Sequence, residues 1–181
     1  MRIWQLVSLA GCLLLVESSA ARAQDTKKVG VTMAYPTSIG LIWPASNKVA
    51  VRPEFTISGS SVESPSGLDG SSWNVGTGVS VLFYLKDYER VRTYFTPRFE
   101  YSRSSSSSDT GSGAIPSIDA TRSASGGSGS FGVQYAPGEK FGVFGEVGFG
   151  FSYSKLPSFT GSDGHATAWG MRSGVGVIFY P

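Results

Sequence analysis

The chain has 181 residues, the size of one ordinary domain, and its formal net charge is only +2. A charge this small rules out an argument from bulk charge for nucleic-acid binding, and no basic stripe of the kind that nucleic acid requires is seen. Charged residues make up 15% of the chain, against about 25% in typical soluble domains. Glycine occurs 24 times, aromatic residues make up 13%, and there is one histidine. This composition fits few enzymes.

Residues 1–23 have the pattern of a cleaved signal peptide. A positive charge precedes an apolar stretch from Ile3 to Val16, and Ala21-Arg22-Ala23 supplies the small residues of a cleavage site. The apolar stretch is shorter than the roughly 20 residues of a transmembrane helix. Leu9-Ala10-Gly11-Cys12 resembles a bacterial lipobox, but the apolar run continues beyond Cys12, which favours cleavage after residue 23. The exported domain, residues 24–181, then has no cysteine and no disulfide.

The rest of the chain alternates between apolar positions and polar or glycine positions, which is the period of a β-strand. In Trp73–Leu85, for example, the odd positions are mostly apolar, whereas the even positions begin with Asn74, Gly76 and Gly78. The predicted strands are Val29–Tyr35, Ser38–Trp43, Lys48–Ser58, Ser72–Leu85, Val91–Ser102, Thr121–Tyr135, Phe141–Ser154 and Ala166–Tyr180. Segments of about ten residues with this alternation are typical of membrane barrels, which have an even number of strands in bacteria. The first two predicted strands are shorter than the 9–11 residues expected of a spanning strand.

The connections between these strands alternate in length. Short connections are predicted at Pro44–Lys48, Lys86–Arg90 and Pro137–Lys140, and long Gly/Ser-rich ones at Ser60–Ser72, Ser102–Arg122 and Leu156–His165. Outer-membrane barrels have short periplasmic turns and longer extracellular loops. The sequence therefore predicts an all-β protein, an eight-stranded antiparallel up-and-down transmembrane β-barrel.

The strand segments "FGVFGEVGFGFSY" and "WGMRSGVGVIFY" carry a resemblance to a known family. With them, the chain from Val29 to Pro181 resembles the small eight-stranded outer-membrane barrels of the OmpA and OmpX type. The resemblance implies a monomer in the bacterial outer membrane that contacts outer-membrane lipids and is inserted by the barrel-assembly machinery. That machinery favours a last strand ending in an aromatic residue. Here Pro181 follows Tyr180, a departure from the family pattern.

If the apolar face of each strand meets lipid, the charged residues of the strands face the lumen. An arginine on the lipid face near the bilayer midplane would cost about 2–4 kcal/mol. The predicted lumen charges are Arg52, Glu54, Arg98, Glu100, Glu146 and Arg172. We interpret them as a structural network of Arg–carboxylate pairs that plugs the barrel, because eight strands leave an interior that side chains can fill. The alternative is a gate, or a polar path for a solute.

Two prolines conflict with regular pairing in these strands. Pro53 and Pro97 cannot donate a hydrogen bond, and proline in a sheet is usually confined to edges or bulges. A closed barrel has no edges. We therefore expect a local bulge at each proline, or else a register error that would turn Arg52 or Arg98 toward lipid.

Catalytic and metal-binding chemistry find little support. His165 lies beside Asp163 and Thr167, and such a group could in principle activate a nucleophile. A loop histidine among glycine and serine is more often solvated, so we predict no catalytic residue. One histidine without a cysteine cannot build a zinc site, and no cofactor is expected. The serine-rich stretch from Ser102 to Ser130 is interpreted as a solvated outer loop that continues into a strand.

These patterns predict a small non-catalytic outer-membrane barrel. Its expected role is envelope integrity, or an interaction of its long loops with an extracellular ligand, without nucleic acid. Two alternatives stay open: a narrow channel for ions or solutes, and a hydrolase that modifies outer-membrane lipids. A soluble exported β-barrel or sandwich is the rival to the membrane interpretation as a whole.

Overall fold

A computed structural model describes residues 28–62, 68–110, 118–156 and 164–181. The predicted signal peptide and Cys12 lie outside these residues. The described residues form the strands β1 Gly30–Tyr35, β2 Ser38–Pro44, β3 Val49–Val62, β4 Leu68–Tyr88, β5 Val91–Thr110, β6 Ile118–Tyr135, β7 Phe141–Leu156 and β8 Gly164–Phe179. In this part of the chain, no helix is long and apolar enough to cross a membrane.

The strands form one closed barrel in which each strand pairs with the next, and β8 returns to pair with β1. All eight pairings are antiparallel. Val31 lies opposite Phe179, and this contact between the first and last strands closes the ring. The predicted eight-stranded up-and-down barrel is therefore confirmed.

The two ends of the barrel differ. The turns 45–48, 89–90 and 136–140 lie at one end, together with the first and last described residues. We call this the turn end. The opposite end, which we call the loop end, carries Pro36-Thr37 between β1 and β2 and the three connections outside the described residues. The three predicted short connections are thus confirmed, and all three lie at the same end of the barrel.

The loop-end strands are longer than predicted. Ser102–Thr110 was expected to be loop, but it continues β5, and through Ser108 it pairs with both β4 and β6. The prediction was wrong because strand pairing needs only backbone hydrogen bonds. A run of serines has no alternation of apolar residues from which the strand could be recognised. Serine hydroxyls add bonds between the strands: Ser71 Oγ and Ser107 Oγ are 2.8 Å apart.

Side chains alternate along each strand between the lumen and the outside, as the pleat requires. Buried residues in β3 to β5 have even numbers, for example Arg52, Leu82 and Tyr94. Most large exposed apolar residues on the same strands have odd numbers, for example Phe55 and Phe99; Val62 and Tyr88, at the ends of β3 and β4, are the exceptions. The outside is consequently mostly apolar, and charged side chains such as those of Arg52 and Glu54 lie within.

No bulge occurs at either proline, so that expectation was wrong. Pro53 lies opposite Val79 and Pro97 lies opposite Gly129 in regular register. The missing N–H instead interrupts one ladder at each proline without shifting its register: the β2–β3 pairing resumes on both sides of Pro53, and the β4–β5 pairing on both sides of Pro97. The register shift of β4 lies elsewhere, between Tyr84 and Lys86.

Candidate functional site: the charged lumen

Four of the six predicted lumen charges form one network, which we call the lumen cluster: Arg52, Glu54, Arg98 and Glu146. Arg52 Nη2 lies 2.7 Å from Glu146 Oε1, and Arg52 Nε lies 3.6 Å from Glu54 Oε2. Arg98 forms an ion pair with the same oxygen of Glu54. Two arginines thus face two glutamates, and the cluster is neutral overall.

Glu54 is the centre of the hydrogen bonds in this cluster. It accepts from Ser38 Oγ at 3.2 Å with Oε1 and from Ser80 Oγ at 3.1 Å with Oε2. The Ser80 hydroxyl oxygen in turn accepts from Arg98 Nε at 3.0 Å. Since these residues belong to β2, β3, β4 and β5, one carboxylate links four neighbouring strands.

Arg52 is only 1% exposed, and its guanidinium is held mainly by charge. Its three nitrogens make no well-aligned hydrogen bond within the described residues, although Glu146 lies 2.7 Å away. The ion pair still holds the guanidinium, because attraction between charges depends on distance more than on alignment. The guanidinium carbon also lies 4.9 Å from the centre of the Phe144 ring. Tyr94 donates its hydroxyl to the same carboxylate oxygen, Glu146 Oε1, at 2.8 Å.

The lumen holds two separate cavities. The turn-end cavity has a volume of about 660 Å³ and is lined by Ala50, Tyr84 and Gln134 among others. The loop-end cavity, about 360 Å³, is lined by Glu54, Arg98, Glu146 and the other pair of lumen charges. Neither is lined by the fully buried Arg52, Leu82 and Tyr94, which lie between them.

The remaining two predicted lumen charges are not part of the cluster. Arg172 Nη1 lies 2.7 Å from Glu100 Oε1, and we call these residues the outer pair. Their side chains are 43% and 30% exposed, in contrast to the buried Arg52. The outer pair lines the loop-end cavity, whereas Arg52 lines neither cavity.

His165 lies on the outside of the barrel and not in the lumen. Its ring stacks on Tyr153, and Nδ1 lies 2.6 Å from the Tyr153 hydroxyl oxygen. Thr167 lies opposite Tyr153 on β7, and Asp163 is outside the described residues. Within the described residues, neither His165 nor Tyr153 lines one of the cavities of the barrel.

Sequence reasoning did not identify Ser38, Ser80, Tyr94 and Phe144 as members of the site. Their even positions in alternating strands do signal that they face the lumen. Their contacts, however, depend on the stagger of strands that are distant in sequence. That stagger is not encoded in any local motif.

No family model matches this chain, and no curated protein matches it. Among solved structures, it is similar to a major outer membrane protein from Thermus thermophilus, with a TM-score of 0.59 and 11% identity over 86% of this chain and 99% of that one. It is also similar to Ail, the attachment invasion locus protein of Yersinia pestis, with a TM-score of 0.44 and 16% identity over 84% of this chain and 93% of that one. CarO of Acinetobacter baumannii gives a TM-score of 0.42 and 13% identity over 89% of this chain and 100% of that one. At these identities the similarity concerns the fold alone, and the argument for it rests on the Thermus protein. This chain has the barrel architecture of an outer-membrane protein.

Proposed function

We propose that this chain is a non-catalytic barrel of the bacterial outer membrane whose lumen is closed. The main observation behind this proposal is that apolar side chains lie on the outer face of the strands and charged side chains on the inner face. The outward positions of β5 from Val91 to Tyr101, and of β7 from Phe141 to Tyr153, include no charged residue. Such a surface suits the apolar band of about 25 Å that outer-membrane barrels present to lipid.

Aromatic residues near both borders of this surface support the same proposal. Trp43 is exposed near the turn end, and Trp73 and Trp169 are exposed toward the loop end. Tryptophan is enriched where the apolar band meets the headgroups, because its ring is apolar and its N–H is polar. The turn end would then face the periplasm, and the loop end the outside of the cell.

The closed lumen is supported by what fills it. Arg52, Leu82 and Tyr94 occupy the space between the two cavities, and each is at most 1% exposed. An ion crossing the lumen would have to displace Arg52 from Glu146, and separating a buried pair is costly. We therefore assign the lumen cluster a structural role, in preference to the channel.

The long hairpins at the loop end support a role in surface contacts. The β4–β5–β6 sheet is covered there by short polar side chains such as those of Ser104–Ser108, which are paired on both sides. An ordered polar wall of this kind offers hydroxyl groups to an extracellular ligand at a low entropic cost. We propose this surface, rather than a catalytic centre, as the functional part of the molecule.

The first experiment is cell fractionation followed by gel electrophoresis with and without boiling. We expect the protein in the outer-membrane fraction, with a mobility that shifts on heating because a folded barrel resists the detergent. Recovery from the soluble periplasmic fraction without a heat shift would overturn the proposal.

Planar-bilayer recordings test whether the lumen is closed. We expect no steady conductance from the wild-type protein, and conductance from the double variant Arg52→Ala/Glu146→Ala, which removes the pair between the cavities. The matched control is Asp87→Ala/Arg92→Ala, since Arg92 Nη2 lies 2.7 Å from Asp87 Oδ2 at the turn end. Steady wild-type conductance would instead support the channel.

A further inference from the structure

Among the described residues, the barrel wall is incomplete at the loop end, because β1 and β2 stop early. Tyr35 at the end of β1 lies opposite Val175, so β8 has no β1 partner between Gly164 and Gly174. On the other side, β2 pairs with β3 only up to Phe55, which leaves Thr56–Val62 without a β2 partner. These two free edges pair with no other described strand. We call the gap between them the lateral opening.

The lateral opening falls within the membrane if the barrel spans it as proposed. A strand rises about 3.3 Å per residue, and a tilt of about 40° reduces this to about 2.5 Å along the membrane normal. The 6 residues of β1 and 7 of β2 then cover about 15–18 Å of an apolar band about 25 Å tall. The gap therefore begins in the outer half of the hydrocarbon layer.

Backbone chemistry requires this gap to be polar. Unpaired N–H and C=O groups are not exposed to lipid in the hydrocarbon region, and they are tolerated where they line a polar, water-filled space. The loop-end cavity supplies that space: it is lined by Pro36 and Ser38 at the low rim and by Arg172 and Glu100 within. A molecule in this cavity could therefore reach the free edges of β3 and β8 by passing over the short β1–β2 hairpin.

A third cavity lies against the β7–β8 ladder, next to the free edge of β8. Its volume is about 190 Å³, and its lining combines the lumen residues Arg172 and Glu100 with Gly150 and Ser152 of β7 and with Trp169 and Met171 of β8. Gly170, which lies between those apolar residues, also lines it, and a Cβ at this position would meet no atom within 4 Å. Along the free edge of β8, lumen-facing Arg172 thus lies next to Trp169 and Met171, which are exposed on the outside.

We propose that the lateral opening and the outer pair bind a single-chain zwitterionic amphiphile from the outer leaflet. This inference rests on the proposed membrane location. The headgroup would lie beside the outer pair, and the chain would stay in the membrane against Trp169 and Met171, which are 76% and 81% exposed. The layer around Arg52 and Tyr94 would stop the headgroup from passing further.

The outer pair indicates a zwitterion rather than an ion of one sign. Arg172 and Glu100 neutralise each other at 2.7 Å and are partly exposed, so either can reach a ligand. An anion would take Arg172 and leave Glu100 unpaired, and a cation would do the reverse. A phosphate joined to an ammonium group can pair with both side chains at once, so no charge is left without a partner.

The test uses the full chain, folded in dodecyl maltoside micelles, and lysophosphatidylethanolamine with a brominated acyl chain. Replacing Trp4, Trp43 and Trp73 with Phe leaves Trp169 as the one fluorescent tryptophan. Bromine quenches tryptophan on contact, so we expect saturable quenching of Trp169. Glu100→Gln/Arg172→Gln should weaken binding at least tenfold, and Asp87→Asn/Arg92→Gln should leave it unchanged.

Two glycine substitutions test the route through the wall. Gly170→Phe places a ring on the lumen side of the free β8 edge, beside the outer pair, and should abolish saturable quenching. Gly145→Phe is the matched control, because it also meets open space but faces lipid on β7. Each variant must keep the heat shift of the folded barrel, which separates loss of binding from loss of folding.

Non-saturable quenching that is equal in all variants would overturn the inference, as would equal saturable quenching by a brominated alkyl maltoside without charge. The micelle assay depends on the folded barrel and not on its cellular location. Its failure in a protein found in the outer membrane would leave the proposed function intact. Absence from the outer membrane would instead refute the proposed function, whatever the micelle assay shows.

Discussion

Replacing Arg52 with methionine should destabilise the barrel strongly, because it leaves Glu146, whose side chain is only 11% exposed, without a cation. Glu54 keeps Arg98, whereas the described contacts of Glu146 after the change reduce to the Tyr94 hydroxyl at 2.8 Å. Removing one partner of a buried ion pair costs about 3–5 kcal/mol. Methionine keeps most of the apolar packing that the arginine stem supplies, so the lost charge dominates the effect.

The measurement is the free energy of unfolding in urea, with the protein in lipid vesicles and the folded fraction read from the heat-shifted gel band. We expect Arg52→Met to lower it by about 3–5 kcal/mol. Arg52→Met/Glu146→Gln should recover at least about 2 kcal/mol of that loss, since no buried charge is then left unpaired.

The exposed pair at the turn end supplies the control. Arg92 and Asp87 are 2.7 Å apart, as close as Arg52 and Glu146, but their side chains are 43% and 53% exposed. Arg92→Met should cost about 1 kcal/mol or less, because water and salt screen an exposed pair. Equal losses for Arg52→Met and Arg92→Met, or a double variant as unstable as Arg52→Met alone, would refute the reasoning.

Three further predictions follow from the packing and pairing of the wall. Gly132→Ala should cost about 1–3 kcal/mol in the same urea titration, because its Cβ would lie 2.5 Å from Tyr94 Cε2, whereas Gly145→Ala meets open space and should not destabilise the barrel. Phe131→Arg puts a charge on the lipid face and should cost about 2–4 kcal/mol by the same assay. Amide hydrogens of Ser104–Ser108 should exchange slowly by mass spectrometry, because this segment is paired with both β4 and β6; exchange within seconds would contradict that pairing.

The strands were predictable where their apolar positions alternate. Val91–Tyr101 and Phe141–Tyr153 alternate clearly, and both lie within strands of the barrel. The serine-rich half of β5 was not predictable, because strand pairing there is specified by backbone groups and by the neighbouring strands. A run such as Ser104–Ser108 has the composition of a loop, and only its two partner strands make it a strand.

The sequence predicts which charged side chains face the lumen, but not which of them contact one another. Alternation assigns Arg52 and Glu146 to the same side of their strands as the other lumen charges. Their 2.7 Å contact joins β3 to β7 across the lumen, and it depends on the stagger of the strands around the barrel. The short β1 and β2 were predicted from the sequence, yet the opening they leave depends on how far β3 and β8 continue, which serine and glycine conceal.

The interrupted ladders explain why the lumen cluster lies where it does. Pro53 breaks the β2–β3 pairing, and the hydrogen bond from Ser38 Oγ to Glu54 joins the same two strands next to the break. Pro97 breaks the β4–β5 pairing, and Arg98 Nε donates to Ser80 Oγ beside it, again between the same two strands. Each lost backbone bond is thus accompanied by a side-chain bond from inside the barrel. Glu54 connects these two side-chain bonds, because it also accepts from Ser80 and pairs with Arg98. The lumen cluster thus joins neighbouring strands at the positions where Pro53 and Pro97 interrupt the backbone pairing.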